Sequence, residues 1–127
     1  MSVIVQDGGF IADDFIGEWL DLTSDTDPAT LKQYAGSAAI RIDFPAFSDG
    51  RGFTLAKILR LSGFTGRLRA NGHVIADQYA MARRSGFDEV SISDELATRQ
   101  PQEQWLARAD WQAHDYQARV RRPATAS

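Results

Sequence analysis

The 127-residue chain contains no cysteine. That absence removes disulfides, thiol nucleophiles, Cys-ligated zinc and iron–sulfur clusters from consideration, and it agrees with a reducing cytoplasm. No run approaches the ~20 apolar residues that a membrane span needs. The start, MSVIVQDGGF, has neither the basic opening nor the apolar core of a signal peptide. The chain therefore reads as a cytoplasmic protein with no membrane partner. Histidine is scarce as well: His73 and His114 stand far apart, without HxH or HExxH spacing, so no metal is expected. GxSxG, GxxxxGK[ST] and GxGxxG are all missing, which disfavours a nucleophile elbow, a Walker loop and a dinucleotide fingerprint. Nothing marks a flavin, haem or nicotinamide site, and no cofactor is expected. A pI near 5.3 without a basic–aromatic stripe argues against nucleic acid.

What is present is ordinary for a globular protein: 43% hydrophobic and 24% charged residues. The length suits one domain, residues 1–127, with room for a real core over residues 37–93. The charges are unevenly placed. Residues 1–31 hold seven acids and no Lys or Arg, whereas residues 41–84 hold eight bases against three acids. Such a basic stretch is a solvated helix face or, more sharply, a site for a small anion.

In chain order, Asp7-Gly8 between two apolar segments predicts an N-terminal hairpin, Ser2–Gln6 with Gly9–Ala12. Asp13–Leu22 fits a short helix or an irregular apolar arm. Asp27-Pro28 starts a helix that runs to about Tyr34 and stops at Gly36. Ser37–Phe44 alternates as a buried strand and Pro45 ends it. Phe53–Leu61 shows a broad apolar helical face closed by Gly63. Arg67–Ala70 is a short strand, a second helix follows over about His73–Arg84, and Glu89–Ile92 is a third strand. Ser62-Gly63-Phe64 and Ser85-Gly86-Phe87 echo one another, each glycine capping a helix while the phenylalanine folds back on its last turn. These units give an α/β fold: a βαβαβ parallel-sheet core with an N-terminal β-hairpin and a helical or extended C-terminal segment. Sequential strand order, as in a piece of a β/α barrel, is favoured over a flavodoxin-like order. Asp94–Arg99 reads as one helical turn, Pro101 begins a helix carrying Trp105, Leu106 and Ala109, the chain leans extended beyond Asp115, and residues 119–127 form a frayed basic tail.

In a parallel β/α unit, ligands gather where strand ends meet helix N-termini. Two such turns carry polar residues here. The first holds Asp49, Gly50, Arg51, Gly52 and Thr54: glycines for close backbone approach, a guanidinium fork and first-turn N–H groups, an anion cradle. Its plainer reading has Asp49 capping the helix and holding Arg51. The second holds Arg69, His73, Asp77 and Gln78, which would face the same rim. There Asp77 is more readily a partner for Arg51 or Arg69 than a catalyst, and His73 sits at a cap position. Asp13-Asp14, in an acidic exposed segment, reads as solvated.

Over most of its length, and most specifically from Phe44 to Asp88, the chain resembles a family of short bacterial proteins, domain of unknown function 934. Phe44-Pro45-Ala46-Phe47-Ser48-Asp49-Gly50-Arg51-Gly52-Phe53-Thr54, Gly66-Arg67-Leu68-Arg69-Ala70, Asp77-Gln78 and Ser85-Gly86-Phe87-Asp88 follow its pattern FPxFxDGRGY[ST]xAxxLR, GxLRAxGxVxxDQ and RxGFD. Departures are Phe53 for the usual tyrosine, and Asn71 and His73 around Gly72. The resemblance implies a place beside assimilatory sulfite and phosphoadenylyl-sulfate reductases, with such a reductase as partner. The expected function is thus a non-catalytic accessory or anion-binding protein of sulfate/sulfite reduction, taking a small oxyanion or a nucleotide. Two alternatives stand beside it. One is a small enzyme with Asp77 or His73 as acid–base and Arg51 as clamp. The other is a subunit docking on a reductase through Trp19, Trp105 and Trp111. Whether it is an enzyme, and whether it forms a homo-oligomer, stay open at this level.

Overall fold

The computed structural model describes residues 2–13 and 17–111. Six strands form one sheet in the order β2-β1-β6-β5-β4-β3. β1 (Ser2–Gln6) and β2 (Gly9–Ile11) make the antiparallel hairpin, and β1 also runs antiparallel to β6 (Glu89–Ser93). The other neighbours, β3 (Leu20–Leu22), β4 (Ala39–Phe44), β5 (Arg67–Gly72) and β6, pair in parallel. The βαβαβ core is therefore present with sequential strand order, as expected.

Three features depart from the sequence reading, the smallest being that the helix after Pro101 ends at Leu106, short of Ala109. Leu20–Leu22, placed within a helix or an arm, is an edge strand: Leu20, Asp21 and Leu22 pair with Ile40, Arg41 and Ile42. Three residues are too few to show a period of two, so only the neighbouring strand could reveal it. The second helix also starts later than His73. β5 continues through Gly72, a 3-10 turn spans Ala76–Gln78, and α2 is Tyr79–Ser85. The delay has a local cause: Ile75 is extended, and its N–H goes to the Gln78 side chain at 3.0 Å. The expected extended segment beyond Asp115, the basic tail, His114 and Asp14 lie outside the described residues.

The helices follow from their ends. Pro28–Tyr34 is a 3-10 helix whose cap, Asp27, accepts from the Ala29 N–H at 3.0 Å. α1 (Arg51–Leu61) and α2 close with the same device. Phe64 N–H bonds Leu59 C=O at 3.1 Å, Phe87 N–H bonds Ala82 C=O at 3.0 Å, and Gly63 and Gly86 take φ of +102° and +118°. Both phenylalanines are buried. The SGF echo is thus a repeated Schellman closure that nails each helix to the sheet. α3 (Asp94–Arg99) follows β6 directly, capped by Ser93 Oγ on Leu96 N–H at 3.1 Å, and α4 (Gln102–Leu106) follows Pro101.

The sheet has two unlike faces, as the period of two dictates. Val5, Leu22, Ile40, Ile42, Leu68, Ala70, Val90 and Ile92 join Leu55, Ala56 and Leu59 of α1 in one apolar core. Directly paired residues on the other face are charged: Asp21 with Arg41, Arg41 with Arg69, and Arg69 with Glu89. The uneven charge of the sequence resolves here. The acidic N-terminal third supplies counterions to the basic middle: Asp21 to Arg41, Asp13 to Arg69 and Asp7 to Arg83.

Candidate functional site

The carboxyl ends of β4, β5 and β6 form the rim where a ligand is expected in such a sheet. Phe44, the last residue of β4, organises it. Its ring packs on Phe53 (5.0 Å) and Phe87 (5.7 Å), and its carbonyl accepts from His73 N–H at 2.9 Å. Gly72 bends there with φ +114°, and a Cβ would lie 2.9 Å from that carbonyl. Gln78 ties the two turns together, donating from Nε2 to Phe47 C=O at 2.8 Å while Oε1 accepts from Ile75 N–H.

The first loop meets half of its plainer reading: Asp49 holds Arg51, but the N-cap residue of α1 is Gly50, with no side-chain cap. Asp49 accepts from the Arg51 backbone N–H at 3.1 Å and grips the Arg51 guanidinium with both oxygens, at 2.9 and 2.8 Å. Ser24 donates to Asp49 at 2.8 Å and accepts from Arg51 at 3.2 Å. The fork that would take an external oxyanion is filled by the chain's own carboxylate. A cavity of about 250 Å³ beside it is lined by Ser24, Asp25, Thr26, Arg51 and Thr54, so an entering anion would also meet Asp25. The two glycines answer different needs. Gly50 has open space around it and φ of −87°, whereas a Cβ on Gly52 would lie 2.4 Å from the Phe44 ring. Gly52 serves packing: it lets α1 settle on Phe44. Gly52→Ala is expected to cost about 1–3 kcal/mol by overpacking, although alanine improves helix propensity by about 1 kcal/mol. Urea unfolding measures the net loss.

The two arginines do not share the rim. Arg51 stands at the start of α1, while Arg69 lies mid-strand in β5, level with Arg41, and is 1% exposed. Arg67 and Arg69 do share one face, as alternation predicts, but it is the charged sheet face and not the loop edge. Arg69 Nε donates to Glu89 Oε2 at 2.5 Å, its terminal nitrogens reach Asp13 at 3.0 and 3.2 Å, and its guanidinium stacks 4.3 Å from the Trp19 ring. Arg69 is therefore a structural cation. Asp77 is exposed and takes Arg108 at 2.8 Å, on neither Arg51 nor Arg69.

Of the second constellation, His73 lines a cavity. A pocket of about 270 Å³ opens over the ends of β5 and β6, lined by Phe47, Gly72, His73, Ser93, Glu95, Leu96 and Arg99. His73 Nδ1 stands 3.2 Å from the Phe44 carbonyl. A carbonyl oxygen only accepts, so Nδ1 is the donor, and the tautomer that fits leaves the lone pair on Nε2. Phe47 meets the imidazole edge-on at 5.3 Å and is 42% exposed. Arg99 and Glu95 pair one helical turn apart at 2.6 Å, both 73% exposed. Ser93, Glu95 and Arg99 were not among the sequence candidates. Their one signal was position: they follow the third strand as Asp49–Thr54 and His73–Gln78 follow the first two.

The three tryptophans expected to be exposed are covered to different degrees. Trp105 is buried, and Trp19 and Trp111 are half-buried beneath arginines, at 4.3 Å from Arg69 and 4.8 Å from Arg83. Around Asp7, burial pushes the carboxyl up, but hydrogen bonds from Tyr79, Arg83 and Trp111 outweigh it and hold it below its ordinary value of 3.8. The Arg51 and Ser24 hydrogen bonds hold Asp49 far below that value. A depressed carboxyl stabilises the fold above its unfolded pKa and loses that contribution as pH falls through the folded one. Stability should thus decline below about pH 4, and Asp7→Asn should flatten that decline in acid titrations followed by circular dichroism.

Among the described residues no cluster of His, Cys, Asp or Glu is suited to a metal, and no helix is long and apolar enough to cross a membrane. No curated protein and no solved structure matches the chain. A family model matches residues 19–126, covering the β3 edge, the Asp49–Thr54 loop, the rim and the repeated Schellman closures. The chain therefore belongs to the family described as bacterial protein of unknown function (DUF934).

Proposed function

We propose that this protein is a non-catalytic accessory protein of assimilatory sulfate/sulfite reduction that binds a small oxyanion-bearing ligand at the carboxyl rim of its sheet. The observation that carries the binding half is the pocket over β5 and β6, where Arg99, His73 and the Ser93 hydroxyl line one cavity. The pathway half rests on the family resemblance. The choice of this pocket over the Arg51 loop follows from the cost of freeing the cation. Arg51 is gripped by Asp49 and Ser24 together, whereas an exposed i,i+4 pair such as Glu95–Arg99 is worth only about 0.3–0.5 kcal/mol.

The test is a thermal-shift series with sulfite, sulfate and adenosine phosphosulfate. A ligand at a hundredfold excess over its dissociation constant adds about 2.7 kcal/mol to the folded state, a rise of several degrees. The shift should vanish in Arg99→Ala and survive in Arg51→Ala. The opposite pattern would move the site to the first loop, and a flat response across the series would refute anion binding.

A second reading draws on the His73 tautomer. With Nδ1 anchored on Phe44, Nε2 is a base at the end of a parallel sheet, the arrangement a small enzyme would use. Turnover of any tested substrate that is lost in His73→Gln, with stability unchanged, would favour this reading over simple binding.

A further inference from the structure

We infer that the ligand of the rim pocket is a small zwitterion, an amino acid or aminosulfonate, held by Glu95 and Arg99 acting together. The inference rests on the pocket assigned above and narrows the chemistry of what fills it. A simple oxyanion explains Arg99 but leaves Glu95 facing a like charge. The two side chains are in contact at 2.6 Å and line the same cavity, so an anion reaching the guanidinium comes within a few ångströms of the carboxylate. At that separation the repulsion cancels much of the attraction.

A ligand carrying both signs removes the conflict. Its acid group lies against Arg99 and its ammonium against Glu95, giving four alternating charges in a ring, and the Glu95–Arg99 pair need not open. The rest of the lining agrees. The Ser93 hydroxyl accepts from Leu96 N–H and keeps its own proton for a ligand oxygen. His73 Nε2 is left as an acceptor by the Nδ1 contact to Phe44 and suits an N–H donor. Phe47 and Leu96 supply an apolar wall for a short carbon chain. About 270 Å³ admits a molecule of a few heavy atoms, below the usual range for drug-sized ligands.

Isothermal titration of the full chain with matched pairs tests this: taurine against ethanesulfonate, and alanine against propionate, with sodium sulfite as the bare anion. The zwitterion of at least one pair should bind on the order of tenfold tighter than its deaminated partner, about 1.4 kcal/mol. Glu95→Gln should erase that advantage and tighten binding of the bare anion. Arg99→Gln should abolish both. The sulfonate and carboxylate pairs separately identify the acid group. The inference is overturned if deaminated partners bind as well as the amines, or if Glu95→Gln improves every ligand equally; in either case the oxyanion reading survives. If neither the zwitterions nor the anions bind, that reading fails too. Circular dichroism of both variants, whose changes lie on an exposed helix face, verifies the fold.

Discussion

Replacing Glu89 by alanine is expected to destabilise the protein by about 3–5 kcal/mol, the usual effect of breaking a buried ion pair from one side. Glu89 is 1% exposed and binds three neighbouring side chains: Arg69 at 2.5 Å, Arg67 at 2.6 and 3.0 Å, and Gln6 at 3.0 Å. It joins β1, β5 and β6 across the charged face. Alanine would leave the Arg69 guanidinium buried with the half-exposed Asp13 as its remaining carboxylate among the described residues. A domain of this size has about 5–15 kcal/mol in total, so the variant should sit close to the threshold for folding. The paired replacement Arg69→Met with Glu89→Leu should recover most of the loss, since apolar groups of similar volume often match a buried pair. Urea unfolding of both variants separates the cases. A single-variant loss below about 1 kcal/mol, the scale of a surface pair, would show that water reaches Arg69 and that the charged face is not an interior.

The sequence made the core legible because its signals were local and redundant. Alternation in Ser37–Phe44 marked β4, apolar periodicity marked α1, and each SGF triplet marked a helix end followed by a strand. β3 was hidden because Leu20–Leu22 acquires its identity from β4. The candidate rim was legible in part. His73 and Gln78 were singled out because strand-to-helix turns are where such sheets tend to bind ligands, and both lie on one rim, tied to the Phe44 and Phe47 carbonyls. Arg69 was misread because alternation tells which face a side chain takes but not whether a partner 20 residues on, Glu89, has claimed it. Arg99 was not singled out because α3 is too short to show a periodic face, so it takes the topology of β6 to put it at the pocket. Gly52 illustrates a general ambiguity: a glycine after a strand signals close approach, and here what approaches is the Phe44 ring.

Trp105→Ala is expected to cost about 3–5 kcal/mol, as for other large aromatic truncations in a core. The indole is 1% exposed, meets Tyr79 edge-on at 6.0 Å, and donates from Nε1 to the Gln100 carbonyl at 2.9 Å. Gln100 in turn accepts the Ala76 N–H on its side chain at 2.6 Å. Trp105 therefore seats α4 on the core and pins the end of α3 to the turn that opens α2. Arg99 is the residue before Gln100, so the same substitution should loosen the rim and weaken ligand binding beyond its effect on global stability. Trp105→Phe keeps most of the packing and loses one hydrogen bond, so about 1 kcal/mol is expected. A docking tryptophan would behave in the opposite way, with alanine leaving stability untouched and abolishing capture of a reductase. Thermal unfolding of the two variants, read beside reductase pull-down from the same preparations, distinguishes the roles. Alanine and phenylalanine variants as stable as the parent would place the indole outside the core and return it to the surface.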